Sequence, residues 1–158
     1  MSHSPITTAL GPGERDATGG VLQGALVDLI DLTLIAKQAH WNVVGTHFRS
    51  VHLQLDELVS AARTYTDQVA ERASAIGVSP DGRARTVVDQ SGLPEFPGNW
   101  QKDTDVIRSI VDVLDVVVRR MRQRVEETDK TDLVTQDLLL DLTAKLEEAH
   151  WMWQAQLA

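Results

Sequence analysis

An all-α fold is what this sequence predicts: four long helices in one bundle, with a long crossover connection in the middle. Three observations carry it. Apolar residues recur at three- and four-residue spacing through four separate stretches, and glycine or proline interrupts the chain between them. A length of 158 residues with 42% hydrophobic content suits one domain with a substantial core.

Residues 1–20 are expected to form a flexible tail, and residues 21–158 the bundle. Ser, Thr, Pro and Gly dominate the tail, no apolar period is visible there, and Gly19-Gly20 closes it. His3 reads as incidental. From Val21 to about Val44 the pattern is helical, with Leu22, Leu26 and Leu29 on one stripe and Val27, Ile30 and Leu34 on another beside it. The combined stripe is wider than a surface helix needs, which points to a second buried face and to a partner subunit as its cover. Gly45 is a natural C-terminal stop.

The second helix is expected from about Val51 to Ile76, with Val51, Leu55, Leu58, Val59 and Ala62 facing the core. Gly77 ends it and Pro80 prevents its resumption. The connection from Val78 to Trp100 is long and rich in Pro and Gly, so it should hold a short element of its own, with Arg83–Gln90 as the helical part. Gln101 to about Thr128 is rich in Val and Ile. Even so, Val106, Ile110, Leu114, Val117, Val118 and Met121 keep helical spacing over more residues than an ordinary strand spans. Thr131 or Asp132 can cap the fourth helix, which carries Leu138, Leu142, Leu146 and Trp153.

Composition narrows the function. The chain has no cysteine, so disulfides, thiolate metal sites and cysteine catalysis are excluded, and a reducing cytoplasm fits. A net charge of −8 repels nucleic acid on average and attracts cations. No run of about 18 consecutive apolar residues marks a membrane span, and the N-terminus lacks a secretory layout.

The chemistry concentrates between Lys37 and Arg72. His52 and Asp56 are four apart, as are Asp67 and Glu71, so each pair lies on one helix face, one turn apart. His40 lies just before the Gly45–Ser50 turn and His52 just after it, so an antiparallel helix pair brings the two imidazoles to similar height. His40, His52 and Asp56 make a plausible half-site. Asp67 is about 16 Å further along the axis at 1.5 Å per residue, beyond reach of the same metal but pointing nearly the same way. Two copies packed antiparallel about a two-fold axis would bring the first cluster of each to the second cluster of the other. The imidazole–carboxylate mixture suits Fe(II) or Zn(II). A carboxylate-bridged di-iron site inside one bundle is not available. That site needs two Glu-x-x-His motifs with further Glu partners, and the chain has only Glu147-x-x-His150, read here as solvated helix residues. His47 reads as a bystander in the turn.

The run from Lys37 to Arg72 resembles the signature of Dps proteins, the DNA-protecting mini-ferritins of starved bacteria. The match comprises Lys37, His40-Trp41-Asn42, Gly45, Phe48, His52, Asp56, Asp67 and Ala70-Glu71-Arg72, without gaps. The resemblance implies a ferritin-like four-helix bundle assembled as a hollow dodecamer, with ferroxidase sites at two-fold interfaces. His40, His52 and Asp56 would come from one subunit, and Asp67 and Glu71 from its mate. It implies oxidation of Fe(II), with hydrogen peroxide preferred to dioxygen, and storage of Fe(III) mineral, which is protection against oxidative stress. Trp41 matches a tryptophan beside the family's site, where packing and radical quenching are both open readings. Asp132, Asp137 and Asp141 occupy the region that lines the family's iron-entry pores, with helix capping and a solvated face as the competing readings.

Direct DNA binding is not expected, because the tail has no Lys and one Arg, and Arg119, Arg120, Arg122 and Arg124 read as a solvated helix face. Two other functions compete with iron storage: a DNA-condensing protein with minor iron chemistry, and a zinc- or iron-buffering bundle without redox turnover.

Overall fold

A computed structural model describes residues 4–158 of the chain, so the readings made for Met1–His3 lie outside the described residues. Five helices account for nearly all of it: α1 (Pro12–Asn42), α2 (Phe48–Ala75), α3 (Ala84–Gln90), α4 (Asp103–Thr128) and α5 (Leu133–Gln154). A single 3-10 turn, Ala155–Leu157, follows α5. The long helices α1, α2, α4 and α5 form the bundle, and α3 is the short element of the crossover, as the sequence predicts. Leu29, Leu55, Leu114, Met121, Leu142 and Trp153 are among the fully enclosed side chains of the core.

The expected tail boundary at residue 20 is overturned. α1 starts at Pro12, nine residues earlier than the apolar pattern begins. Proline at the first helical position forfeits no hydrogen bond, and the Glu14 carboxylate accepts the Gly11 backbone N–H at 3.0 Å, so the start is capped locally. Packing then holds the extension. Gly19 lies so close to Val78 that a Cβ there would meet its methyl carbon at 2.8 Å, and the hydroxyls of Thr18 and Thr131 are hydrogen-bonded at 3.0 Å. A turn of helix that buries a threonine and a glycine leaves no hydrophobic period to read.

α1 is long and apolar enough to cross a membrane by length and composition, with an 18-residue window of mean hydropathy 1.5, but most of that window is buried in the bundle. Beyond the bundle core, its wide apolar face is covered only in part. The crossover lies along part of it: Gln23 exchanges hydrogen bonds with the Asp81 backbone, Gly82 sits on Ile30, and Asp31 accepts from the Ser91 hydroxyl. Further along, Leu34 and Trp41 remain in water, 57% and 62% exposed.

One buried charge joins three elements. Asp28 on α1 has no exposed surface, and its Oδ2 accepts from Arg120 Nε at 2.7 Å and from Arg124 Nη2 at 2.6 Å. Its Oδ1 accepts the Gly92 backbone N–H of the crossover at 3.3 Å. This corrects the reading of the α4 arginines as a solvated face: Arg124 is buried and Arg120 half-buried, while Arg119 and Arg122 are exposed but paired with Asp115 and Glu147. Burial pushes the Arg124 guanidinium below its ordinary pKa, and Asp28 opposes that.

The crossover ends in β2 (Gln101–Lys102), which pairs in parallel with β1 (Val43–Val44), in register Val43 to Gln101 and Val44 to Lys102. This two-residue ladder fastens the α1–α2 turn to the start of α4.

Removing the carboxylate of Asp28 leaves a buried guanidinium uncompensated, so Asp28→Ala should lose about 3–5 kcal/mol of unfolding free energy. Asp115→Ala, which breaks an exposed pair, should lose no more than about 1 kcal/mol. Urea titrations of both variants check this; similar losses would remove Asp28 from its role.

Candidate metal centre

The turn between α1 and α2 is built around Gly45. Its φ of +132° lies where residues with a Cβ are strained, and a Cβ there would stand 2.6 Å from the Asp103 carboxylate. Asp103 accepts the backbone N–H of His47 at 2.6 Å and that of Thr104 at 2.8 Å. The bond from His47 holds the Asp103 carboxyl below the usual carboxylate range. His47, read as a bystander, thus shapes the turn through its backbone.

Across this turn His40 and His52 meet as the spacing predicts. Their rings stack with centroids 3.7 Å apart and planes 22° apart. Each Nδ1 lies 2.9 Å from the other residue's backbone carbonyl, His40 Nδ1 from His52 O and His52 Nδ1 from His40 O. Carbonyls only accept, so both Nδ1 atoms carry the proton and both Nε2 atoms keep a lone pair. A backbone acceptor on one imidazole nitrogen, leaving the other free, is the arrangement that orients histidine metal ligands.

Asp56 stands one turn along α2, with its Oδ1 3.4 Å from His40 Nδ1 and 2.5 Å from Lys37 Nζ. The hydrogen bond from Lys37 holds the Asp56 carboxyl below the usual range, against the effect of desolvation, so it is ionised at neutral pH. The spacing argument had no view of this lysine. The signal was available: Lys37 precedes His40 by three residues, on the same helix face.

Asp67 and Glu71 are exposed and further along α2. Asp67 borders a shallow groove of about 300 Å³ with Ile30, Leu34 and Arg63. Among the described residues, no three His, Asp or Glu side chains converge as a metal cluster within the single chain.

The His40–His52 pair lines an open groove of about 520 Å³, walled by Trp41, Val44, Phe48 and Trp100. Trp41 is mostly exposed at this groove, so the packing reading fails for it within one chain. Sequence reasoning missed Trp100. Its place in the groove comes from the β1–β2 pairing, and the signal was a lone aromatic ending a Pro- and Gly-rich link.

The remaining sites divide. Asp132 is 8% exposed and caps α5, accepting from Val134 N at 3.2 Å and Thr135 N at 3.3 Å, while Arg72 and the Thr135 hydroxyl bond its Oδ2. Burial raises its carboxyl pKa, but the bonds from Thr135 and Arg72 more than offset that and hold it low. Asp137 and Asp141 are exposed, the latter paired with Lys145. Glu147 and His150 are half-buried rather than solvated; Arg122 bonds Glu147, and His150 Nε2 is enclosed without a partner.

The family model of the ferritin-like domain matches residues 21–158. The DNA protection during starvation protein 2 of Deinococcus radiodurans is 36% identical over 159 residues, an alignment that takes in 99% of this chain and 66% of that relative's length. The DNA protection during starvation protein of Mycolicibacterium smegmatis is 33% identical over 141 residues, 87% of this chain and 75% of the relative. The solved tetragonal form of Mycobacterium smegmatis Dps superimposes with a TM-score of 0.93 at 30% identity, over 99% of this chain and 94% of that one.

The Asp132 cap gives a pH-dependent prediction. A carboxyl with a lowered folded pKa stabilises above its unfolded value, about 3.9, and that stabilisation is lost as pH falls through the folded value. Asp132→Asn should therefore cost about 1–3 kcal/mol at pH 7, with the difference from wild type shrinking below pH 4. Urea unfolding across pH measures it; a difference independent of pH would refute the assignment.

Proposed function

This chain belongs to the Dps family of ferritin-like proteins, and from that membership we propose that it oxidises Fe(II) at sites completed between two copies of the chain and stores the Fe(III) product as mineral. The family's work is iron storage and DNA protection in general. The observation that carries the finer reading is the reciprocal histidine clasp, with two Nδ1–H donors spent on carbonyls and two Nε2 lone pairs left for a cation. Fe(II) is the substrate here, and Zn(II), which accepts the same donors, is its competitor.

In the proposed site His40, His52 and Asp56 of one subunit hold iron together with Asp67 and Glu71 of the two-fold mate. Three features support the two-fold construction. His52, Asp56, Asp67 and Glu71 lie on α2 with His40 beside them on α1, neither cluster is complete alone, and exposed Leu34 and Trp41 flank them on α1. Removing these side chains from water favours pairing by about 25 cal/mol per Å². The assembly is a hollow dodecamer of such dimers, in the cytoplasm. Asp137 and Asp141 are the pore candidates; Asp132, engaged as a cap, contributes mainly by fixing the start of their helix.

The redox balance protects the cell. Two Fe(II) give up one electron each, one hydrogen peroxide accepts both with two protons, and two waters result, so no hydroxyl radical is released. Hydrogen peroxide is the preferred oxidant and dioxygen the slower one. Lys37 on Asp56 balances the carboxylate before the cation arrives. Trp41, in the groove with the imidazoles, stands where a stray one-electron oxidant would meet it first.

Direct DNA binding should be weak. Arg119, Arg120, Arg122 and Arg124 all have carboxylate partners, which leaves little free cationic surface on α4 for phosphate.

Anaerobic loading with Fe(II) followed by peroxide tests the site. His52→Ala and Asp56→Ala should oxidise iron roughly tenfold more slowly or worse. Rates equal to wild type would sink the assignment, and Zn(II) uptake without iron oxidation would favour the buffering reading. In a separate measurement, the intact assembly should leave plasmid mobility unchanged at about 0.15 M salt, and retarded migration would overturn the DNA expectation.

A further inference from the structure

One charged residue on the ligand face of α2 is left unused by the proposed site. At roughly 100° per residue, Arg63 falls within about 40° of both Asp56 and Asp67 around the helix, after the first and before the second. It stands between the two clusters. Its side chain is exposed, makes no hydrogen bond or ion pair among the described residues, and borders the Asp67 groove with Leu34 and Ile30. The exposed arginines of the crossover and α4 differ, since Arg83, Arg85, Arg108, Arg119 and Arg122 each carry a carboxylate partner. Arg49, also free on α2, precedes His52 and lies outside both clusters.

The meaning of this placement rests on the two-fold construction proposed above. Setting His52 against the mate's Glu71 and Asp56 against the mate's Asp67 puts the axis between Ala61 and Ala62, about 2 Å along α2 from Arg63. The guanidinium then has two carboxylates in reach: Asp67 of its own chain, about 6 Å further along, and the mate's Asp56 facing it. Closing the interface gathers Asp56 of one chain with Asp67 and Glu71 of the other. Against these three negative charges the single chain already sets one cation, Lys37, at 2.5 Å from Asp56. The histidines add none, because each is held as a neutral tautomer by a carbonyl on Nδ1. Gathered carboxylates repel one another, and more strongly as the interface excludes water. An exposed ion pair contributes little in water, which fits a guanidinium that is free in the single chain and gains a carboxylate only at the interface.

We propose that Arg63 is a positioning residue that sets the metal affinity of the interface site: it holds Asp67 while the site is vacant and is displaced when a divalent cation enters. Lys37 holds Asp56 in the same way on the other half. The vacant site thus keeps its carboxylates apart and in place, and metal affinity is the difference between two sets of ionic contacts.

Zn(II), which brings no redox step, is the probe, titrated into the intact assembly against a chromophoric chelator at constant ionic strength. Arg63→Gln should bind Zn(II) about fivefold more tightly, the worth of one partly exposed ion pair. Arg63→Lys, which keeps the charge, should return to wild-type affinity. A residue with a merely structural role would weaken the site when replaced. Arg108→Gln, which removes the same charge from α4, should leave affinity unchanged. His52→Ala separates the metal centre from its placeholder. If that variant binds Zn(II) as well as wild type, the centre is misassigned and Arg63 with it. If it binds weakly while Arg63→Gln binds no more tightly than wild type, the centre stands and the role of Arg63 is refuted. Equal tightening in Arg63→Lys or in Arg108→Gln would also overturn it.

Discussion

A single buried carboxylate, Asp28, sets the constraint that most of this structure answers to. A charge with no exposed surface persists only with donors on it, and the chain supplies them from two directions, Arg120 and Arg124 of α4 and the Gly92 amide of the crossover. Once those bonds are made, α1 and α4 cannot slide, and the crossover is held along α1. Its far end then arrives beside Val43–Val44 as β2, and Asp103 comes to lie beneath Gly45. That turn sets the height at which His40 and His52 stack.

The chain's carboxylates fall into two populations with different work. Asp28, Asp81, Asp103 and Asp132 are bonded by arginine or by backbone amides and hold elements together. Asp67 and Glu71 are exposed on α2. Asp56 stands between the populations, paired with Lys37 but beside His40. An ion pair in partial contact with water is weak enough for a divalent cation to displace. In the proposed site, the placement of Asp67 and Glu71 away from the histidines of the same chain would make metal binding depend on assembly.

Particular residues show where the sequence was legible. Val, Ile and Leu at helical spacing gave all four long helices, and the Pro- and Gly-rich crossover was recognisable with its short helix. The histidine pair was legible because an antiparallel turn of known length relates positions on either side of it. Residues 12–20 were not, because what holds them is Pro12, Glu14 and close contact with Val78, none of which has a period. The α4 arginines were misread for a similar reason. A polar face on a helix looks the same in sequence whether water or an aspartate on another helix receives it.

What the sequence determined by itself, then, was everything governed by local periodicity: the helices, their stops, and the faces on which His52, Asp56, Asp67 and Glu71 lie. Those follow from 3.6 residues per turn and need no partner. Tertiary structure alone decided which charges are neutralised and which stay free, which tautomer the histidines adopt, and that Trp100 reaches the groove. Each of these depends on contacts between residues far apart in the chain, where packing and hydrogen bonding set the outcome.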